Sequence, residues 1–141
     1  MKPIKVNDLR WSVGGDLVIG SDGDLCDTKA SPYLSFIQEI KTRLQSDLYD
    51  WKTQPYIGAS LSDLQGEPNN QDTAEEGRTR ITTALTKDDL VSIQSLTVSY
   101  APVDLNHIMY RIVVSLAGFS TDEQIVLNAL LDVNEYELMF V

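Results

Sequence analysis

The chain has 141 residues, 43% of them hydrophobic, enough for one core and too few for two comfortable domains. Its formal charge of -10, from 21 acidic against 11 basic residues, sets up a field that repels nucleic-acid phosphates and anionic lipid, so neither is an expected partner. A single cysteine, Cys26, excludes an intramolecular disulfide and a cysteine-built zinc cluster, and points to a reducing compartment.

The first residues, Met1 to Asp8, lack the apolar h-region of a signal peptide, and no apolar run reaches transmembrane length, so a soluble protein is expected. Leu9, Trp11 and Val13 alternate at period two and predict a strand over residues 7 to 13, with Trp11 read as packing in the core or at its edge in preference to a binding anchor. Gly14-Gly15 marks a turn. Leu17-Val18-Ile19 and Leu25 then flank Gly20-Ser21-Asp22-Gly23, where Asp-Gly favours the positive φ of a hairpin.

A first helix is predicted from about Pro32 to Tyr49, with Ser31 as its cap and Tyr33, Ile37, Ile40, Leu44 and Leu48 as its apolar face. Glu39, Arg43 and Asp47 fall on the polar face, where Glu39 and Arg43 are spaced for an i,i+4 pair. The breakers Pro55, Gly58, Gly66, Pro68, Asn69 and Asn70 exclude long regular structure in the next stretch, although a short helix capped by Ser60 fits over Ser60 to Gln65. Asp72 starts a second helix whose apolar side, Ala74, Ile81, Ala84 and Leu85, is thin enough to place it at the core's edge.

From Ile93 onward the period changes to two. Leu96, Val98 and Tyr100 give one strand, Pro102-Val103-Asp104 breaks it, and Ile108, Tyr110, Ile112, Val114 and Leu116 give a longer one. After a turn at Gly118 to Asp122, Ile125, Leu127, Ala129 and Leu131 alternate again, as do Tyr136, Leu138 and Phe140. The fold class is therefore α+β: an N-terminal β-hairpin, two helices and a C-terminal, mostly antiparallel sheet. Its organisation is a domain over 1–134 and a terminal strand, 135–141, apolar enough to need pairing or burial.

Catalytic constellations are sparse. Asp63 and Glu67 are four residues apart and could form a carboxylate pair, but acids are abundant in this chain and no apolar pocket is visible that would split their roles. His107 is the one histidine; it alternates with Met109 and Arg111 on the strand face opposite Ile108 and Tyr110, and no partner for a triad or a multi-histidine metal site is visible. Cys26 lacks the basic surroundings of a reactive thiolate, and Asp16, Asp22 and Asp24 lack EF-hand spacing. No enzyme, metal or cofactor is expected. Trp51 and Tyr56 bracket the loop after the first helix and are read as holding its shape.

The order of an Asp-Leu hairpin, the helix Ile37-Gln38-Glu39-Ile40-Lys41-Thr42-Arg43-Leu44, the run Pro55-Tyr56-Ile57-Gly58-Ala59-Ser60-Leu61 and then Gly66-Glu67-Pro68 resembles the sheath-initiator family of contractile phage tails, the baseplate wedge proteins named after the T-even member. The similarity spans roughly residues 15 to 116. This chain has Asn69 where the family commonly has arginine, so the contact expected of that charge is absent or is supplied by Arg78 or Arg80. The resemblance implies a virion structural protein, assembled in the host cytoplasm and present in six copies at the tail baseplate. Its implied partners are the tail sheath protein and the baseplate wedge proteins, with tail tube or hub proteins as further contacts.

It implies partner contacts at Glu67, Pro68, Asn69, Arg78 and Arg80, and a structural loop built on Pro55, Tyr56, Gly58, Leu61 and Gly66. Sheath subunits of such machines are linked by exchanged strands, a role that suits Glu135, Tyr136, Glu137, Leu138, Met139, Phe140 and Val141, with Tyr136, Leu138 and Phe140 entering a partner's core. Two other functions fit the same resemblance: a lysozyme-like baseplate enzyme using Glu67 with Asp63, and a head-to-tail connector or tail completion protein.

Overall fold

A computed structural model describes residues 9–12, 16–28, 33–115 and 124–141. The expected cap at Ser31 and Pro32, the Gly14-Gly15 turn and the turn at Gly118 to Asp122 lie outside them. The chain falls into two compact units, Lys2–Thr42 and Arg43–Val141.

In the smaller unit the expected hairpin forms. Ile19 bridges Leu25 antiparallel, and Gly23 takes the left-handed conformation (φ 82) that Asp-Gly provides cheaply. Further bridges join Leu9 to Asp27 and Trp11 to Leu17. Trp11 is 44% exposed, and Leu9, Leu17, Ile19 and Leu25 are exposed as well. The first helix, α1 (Leu34–Gln45), starts in this unit, and its Gln38 amide reads the bridged backbone from both sides: Nε2 donates to Leu9 O (3.0 Å), and Oε1 accepts from Trp11 N (2.7 Å).

The larger unit is an α+β domain. The helix α2 (Gln71–Thr86) is capped by Asn70, whose side chain accepts from Thr73 N (2.9 Å), which satisfies one of the orphan amides of the first turn. Four strands follow, β1 (Leu96–Pro102), β2 (His107–Ser115), β3 (Gln124–Asp132) and β4 (Glu137–Phe140), in an open antiparallel sheet of order β1-β2-β3-β4. The register pairs Val98 with Ile112, Tyr110 with Ala129 and Leu131 with Leu138, so period-two alternation puts these residues on one face. That face is the core: Ile108, Tyr110, Ile112, Val114, Ala129 and Leu131 are fully buried.

The second helix lies in this core and not at its edge. Ile81 and Leu85 are fully buried, and the Tyr110 hydroxyl donates to Ala74 O (3.0 Å). Gly77 makes the approach possible, since a β-carbon there would overlap the Tyr110 hydroxyl. Its small side chains, which look like a weak apolar face, are what let the helix come down onto an aromatic residue. Among the described residues, no helix is long and apolar enough to cross a membrane.

Candidate functional site

The segment from Ser46 to Asn70 is a folded connector. α1 ends at Gln45, four residues earlier than predicted, because the chain folds back on the helix end: Ala59 N donates to both Arg43 O (3.0 Å) and Ser46 O (3.0 Å), and Ser60 N to Ser46 O (3.3 Å). Gly58 permits this. It sits at φ 138, and a β-carbon there would stand 2.6 Å from Asp47 C and 2.8 Å from Ser46 O.

Beyond it Leu61 and Leu64 are buried in a turn of 3-10 helix, Leu61–Leu64. Ser60 precedes that turn but does not cap it; it is left-handed (φ 52) and its hydroxyl accepts from Leu48 N (2.8 Å). Gly66, at φ 85, then donates its amide to Val133 O (2.7 Å). Pro55 closes a smaller loop, its carbonyl accepting from Tyr49 N (2.8 Å). Tyr56 is 42% exposed, and its carbonyl accepts from Lys87 Nζ (3.2 Å).

The five residues read as the structural loop thus divide into ties (Pro55, Gly58, Leu61, Gly66) and one exposed ring. Glu67 and Pro68 project from the end of this connector, both exposed, and the Glu67 carboxylate has no partner among the described residues. Asn69, next in line, turns inward: its Nδ2 donates to Asp104 O (2.6 Å) and His107 O (3.2 Å), pinning the β1–β2 turn.

Of the two arginines considered as substitutes for the family's, Arg80 reaches the connector. Its Nη1 donates to Ser60 O and Asp63 Oδ2 (both 3.1 Å) while Nε holds Glu76 (2.9 Å). Asp63 is exposed, and this is the company it keeps. Arg78 stays on its own helix with Glu75 (2.7 Å), whose other oxygen accepts from the Tyr100 hydroxyl (2.7 Å). The Tyr100 bond, then Arg78, holds the Glu75 carboxyl below its ordinary value, and Glu75 in turn pushes Tyr100 up.

His107 has a partner that the strand pattern did not reveal. Its Nδ1 lies 2.7 Å from Asp104 Oδ1, three residues earlier, and its Nε2 lies 3.6 Å from Asp132 Oδ2. The Asp104 hydrogen bond, helped by the charges of Asp132 and Glu137, raises the imidazole pKa above its ordinary value. Asp104 is held low, first by the Asn106 amide and then by His107. Among the described residues no group of three or more histidine, cysteine or acidic side chains is placed to hold a metal ion.

The terminal segment belongs to the sheet. Glu137 pairs with Asp132 and Phe140 with Ala129, and Val141 N donates to Asn128 O (2.9 Å), so β4 is the last strand of the chain's own sheet. Leu138 and Phe140, expected to enter a partner's core, are half-buried on the covered face of this one, while Met139 (43% exposed) and Val141 (68%) lie on the other. Glu135 and Tyr136 form the turn before β4, with Glu135 exposed and Tyr136 left-handed (φ 47).

Sequence reasoning missed two residues. Arg43, placed on the polar face, is only 3% exposed; its Nη1 donates to Ala84 O (3.0 Å) and Lys87 O (2.9 Å), capping the end of α2. Its position at helical spacing from Ile40 and Phe36 was the available signal. Tyr49, read as the helix end, is left-handed (φ 73) and 80% exposed, and no periodicity predicts it.

The class defined by these features is a small α+β domain with a tied connector and an open four-stranded antiparallel sheet. No family model, no curated protein and no solved structure matches the chain.

Proposed function

We propose that the chain is a structural virion protein of a contractile phage tail, a baseplate component that docks on the wedge and nucleates the sheath through strand pairing. The observation that carries this reading is the connector. The residues of the Pro55 to Pro68 pattern that resemble the sheath-initiator family are locked by Gly58, Leu61 and Gly66, while Glu67 and Pro68 are exposed and the Glu67 carboxylate has no partner among the described residues. A rigid base carrying an unpaired exposed acid suits docking, because little ordering is left to do on binding. Glu67 and Pro68 serve as the wedge contact in this reading, with Arg80 bracing the loop from behind.

Strand pairing with the first sheath ring falls to β4, which stands at one rim of an open sheet. Its four residues are a short ladder, so exchange of this strand costs few hydrogen bonds.

The test is assembly of baseplates carrying Glu67→Gln or a chain truncated after Tyr136. Circular dichroism on each variant checks that the domain is folded. Glu67→Gln should fold as the parent does and be lost from the wedge, and the truncation should dock and leave sheaths unpolymerised. Sheaths of normal length on both would end the proposal, as would a map of the assembled tail that places the protein away from the baseplate.

A further inference from the structure

The connector carries a second feature, the loop 46–57. It is closed at its neck by Tyr49 N to Pro55 O (2.8 Å) and tied internally by Asp47 N to Asp50 Oδ2 (2.8 Å), Gln54 N to Trp51 O (3.1 Å) and Ile57 N to Gln54 O (3.1 Å). The Trp51 indole donates to Ser46 Oγ (3.1 Å), and Lys87 Nζ holds the Tyr56 carbonyl (3.2 Å). Despite this internal order, the loop points its apolar groups outward: Tyr49 is 80% exposed, Trp51 46%, Tyr56 42% and Leu48 40%.

A tyrosine held at φ 73 costs the fold free energy, and its ring contributes almost no burial in return. An outward aromatic on a strained, cross-tied backbone is the arrangement of a binding anchor presented in advance of its partner. The chemistry of that partner follows from Asp50. It lies between Tyr49 and Trp51 in the chain, it is exposed, and one of its two carboxylate oxygens is taken by the Asp47 amide.

We propose that this loop is a docking site for an arginine-bearing segment of a partner protein, its guanidinium paired with Asp50 and stacked on Tyr49 and Trp51. Arginine fits better than lysine, because the planar guanidinium stacks on an aromatic face and offers a carboxylate its donors in the same plane. The net charge of -10 favours approach of a basic segment and opposes a second copy of this chain. The inference stands on the loop alone and does not need the tail assignment.

The experiment uses the full chain, labelled with nitrogen-15 and titrated with a synthetic Arg-Gly repeat peptide, its Lys-Gly and Gln-Gly counterparts, and a proline-rich peptide. The Arg-Gly peptide should shift amide resonances of residues 47–57, and more weakly bound Lys-Gly should shift them less. Tyr49→Gly and Asp50→Asn should each weaken Arg-Gly binding by about tenfold or more, on the scale of one lost stacking or charge-assisted contact. Tyr49→Gly should melt no lower than the parent, since glycine accepts the left-handed backbone that tyrosine resists. The proposal is overturned if Lys-Gly binds as well as Arg-Gly, if Tyr49→Gly binds like the parent, if the proline-rich peptide binds more tightly, or if no resonance of the loop moves at millimolar peptide.

Discussion

Gly58 is where the connector's shape can be tested most directly. Replacing it with alanine imposes two costs. The left-handed backbone at φ 138 is strained for any residue with a β-carbon, about 1–2 kcal/mol. The added carbon also stands 2.6 Å from Asp47 C and 2.7 Å from Asp47 O, atoms of main chain that cannot rotate away, and forcing them apart costs about 1–3 kcal/mol more. The sum is about 2–5 kcal/mol, or a melting temperature lower by roughly 6–15 °C for a domain of this size.

Gly66 supplies the control. At φ 85 it pays the same kind of conformational strain, but a β-carbon there meets nothing within 4 Å, so Gly66→Ala should cost only about 1–2 kcal/mol. Urea denaturation of both variants, with slopes unchanged from the parent, separates the steric part from the conformational part. Equal losses at the two positions would refute the close packing of residue 58 on the end of α1, and with it the account of why that helix stops at Gln45.

Two further outcomes follow from polar groups. Arg43→Met should keep most of the side chain's packing but leave the Ala84 and Lys87 carbonyls without their donor, lowering stability by about 2–4 kcal/mol in urea denaturation. His107 is the one histidine of the chain, so a proton NMR titration reads it without ambiguity: its midpoint should lie above 6.5, and Asp104→Asn should bring it down. With a folded pKa above the unfolded value, protonated His107 stabilises the fold fully below pH 6.5, and that contribution fades as pH rises through the folded midpoint. Asp104 has the opposite sign: its contribution is present above pH 3.8 and is lost as pH falls through its lowered folded value.

What the sequence made legible was the part governed by local geometry. Period-two alternation from Leu96 to Leu131 is imposed by the pleat, so it marked β1, β2 and β3 and their core faces, Ile108 to Val114 above all. Asp72 marked the start of α2 to within one residue, and Asp22-Gly23 marked the hairpin of the smaller unit. The candidate connector was legible as a pattern, and its glycines as positions of constraint. What each glycine meets was not legible, because Asp47, Ser46 and Val133 approach Gly58 and Gly66 only once the chain has folded back.

The arrangement of polar groups was decided by tertiary structure alone. Arg43 has the look of a surface residue until the carbonyl end of α2, some forty residues on, arrives beside it and needs a donor. Ser60 has the look of a cap until Leu48 claims its hydroxyl, and α2 looks peripheral until Tyr110 comes down on Gly77. Hydrophobic periodicity depends only on a residue's neighbours along the chain, so sequence is enough to fix it. A buried hydrogen bond depends on which unsatisfied group of a distant element comes within 3 Å, and only the assembled core determines that.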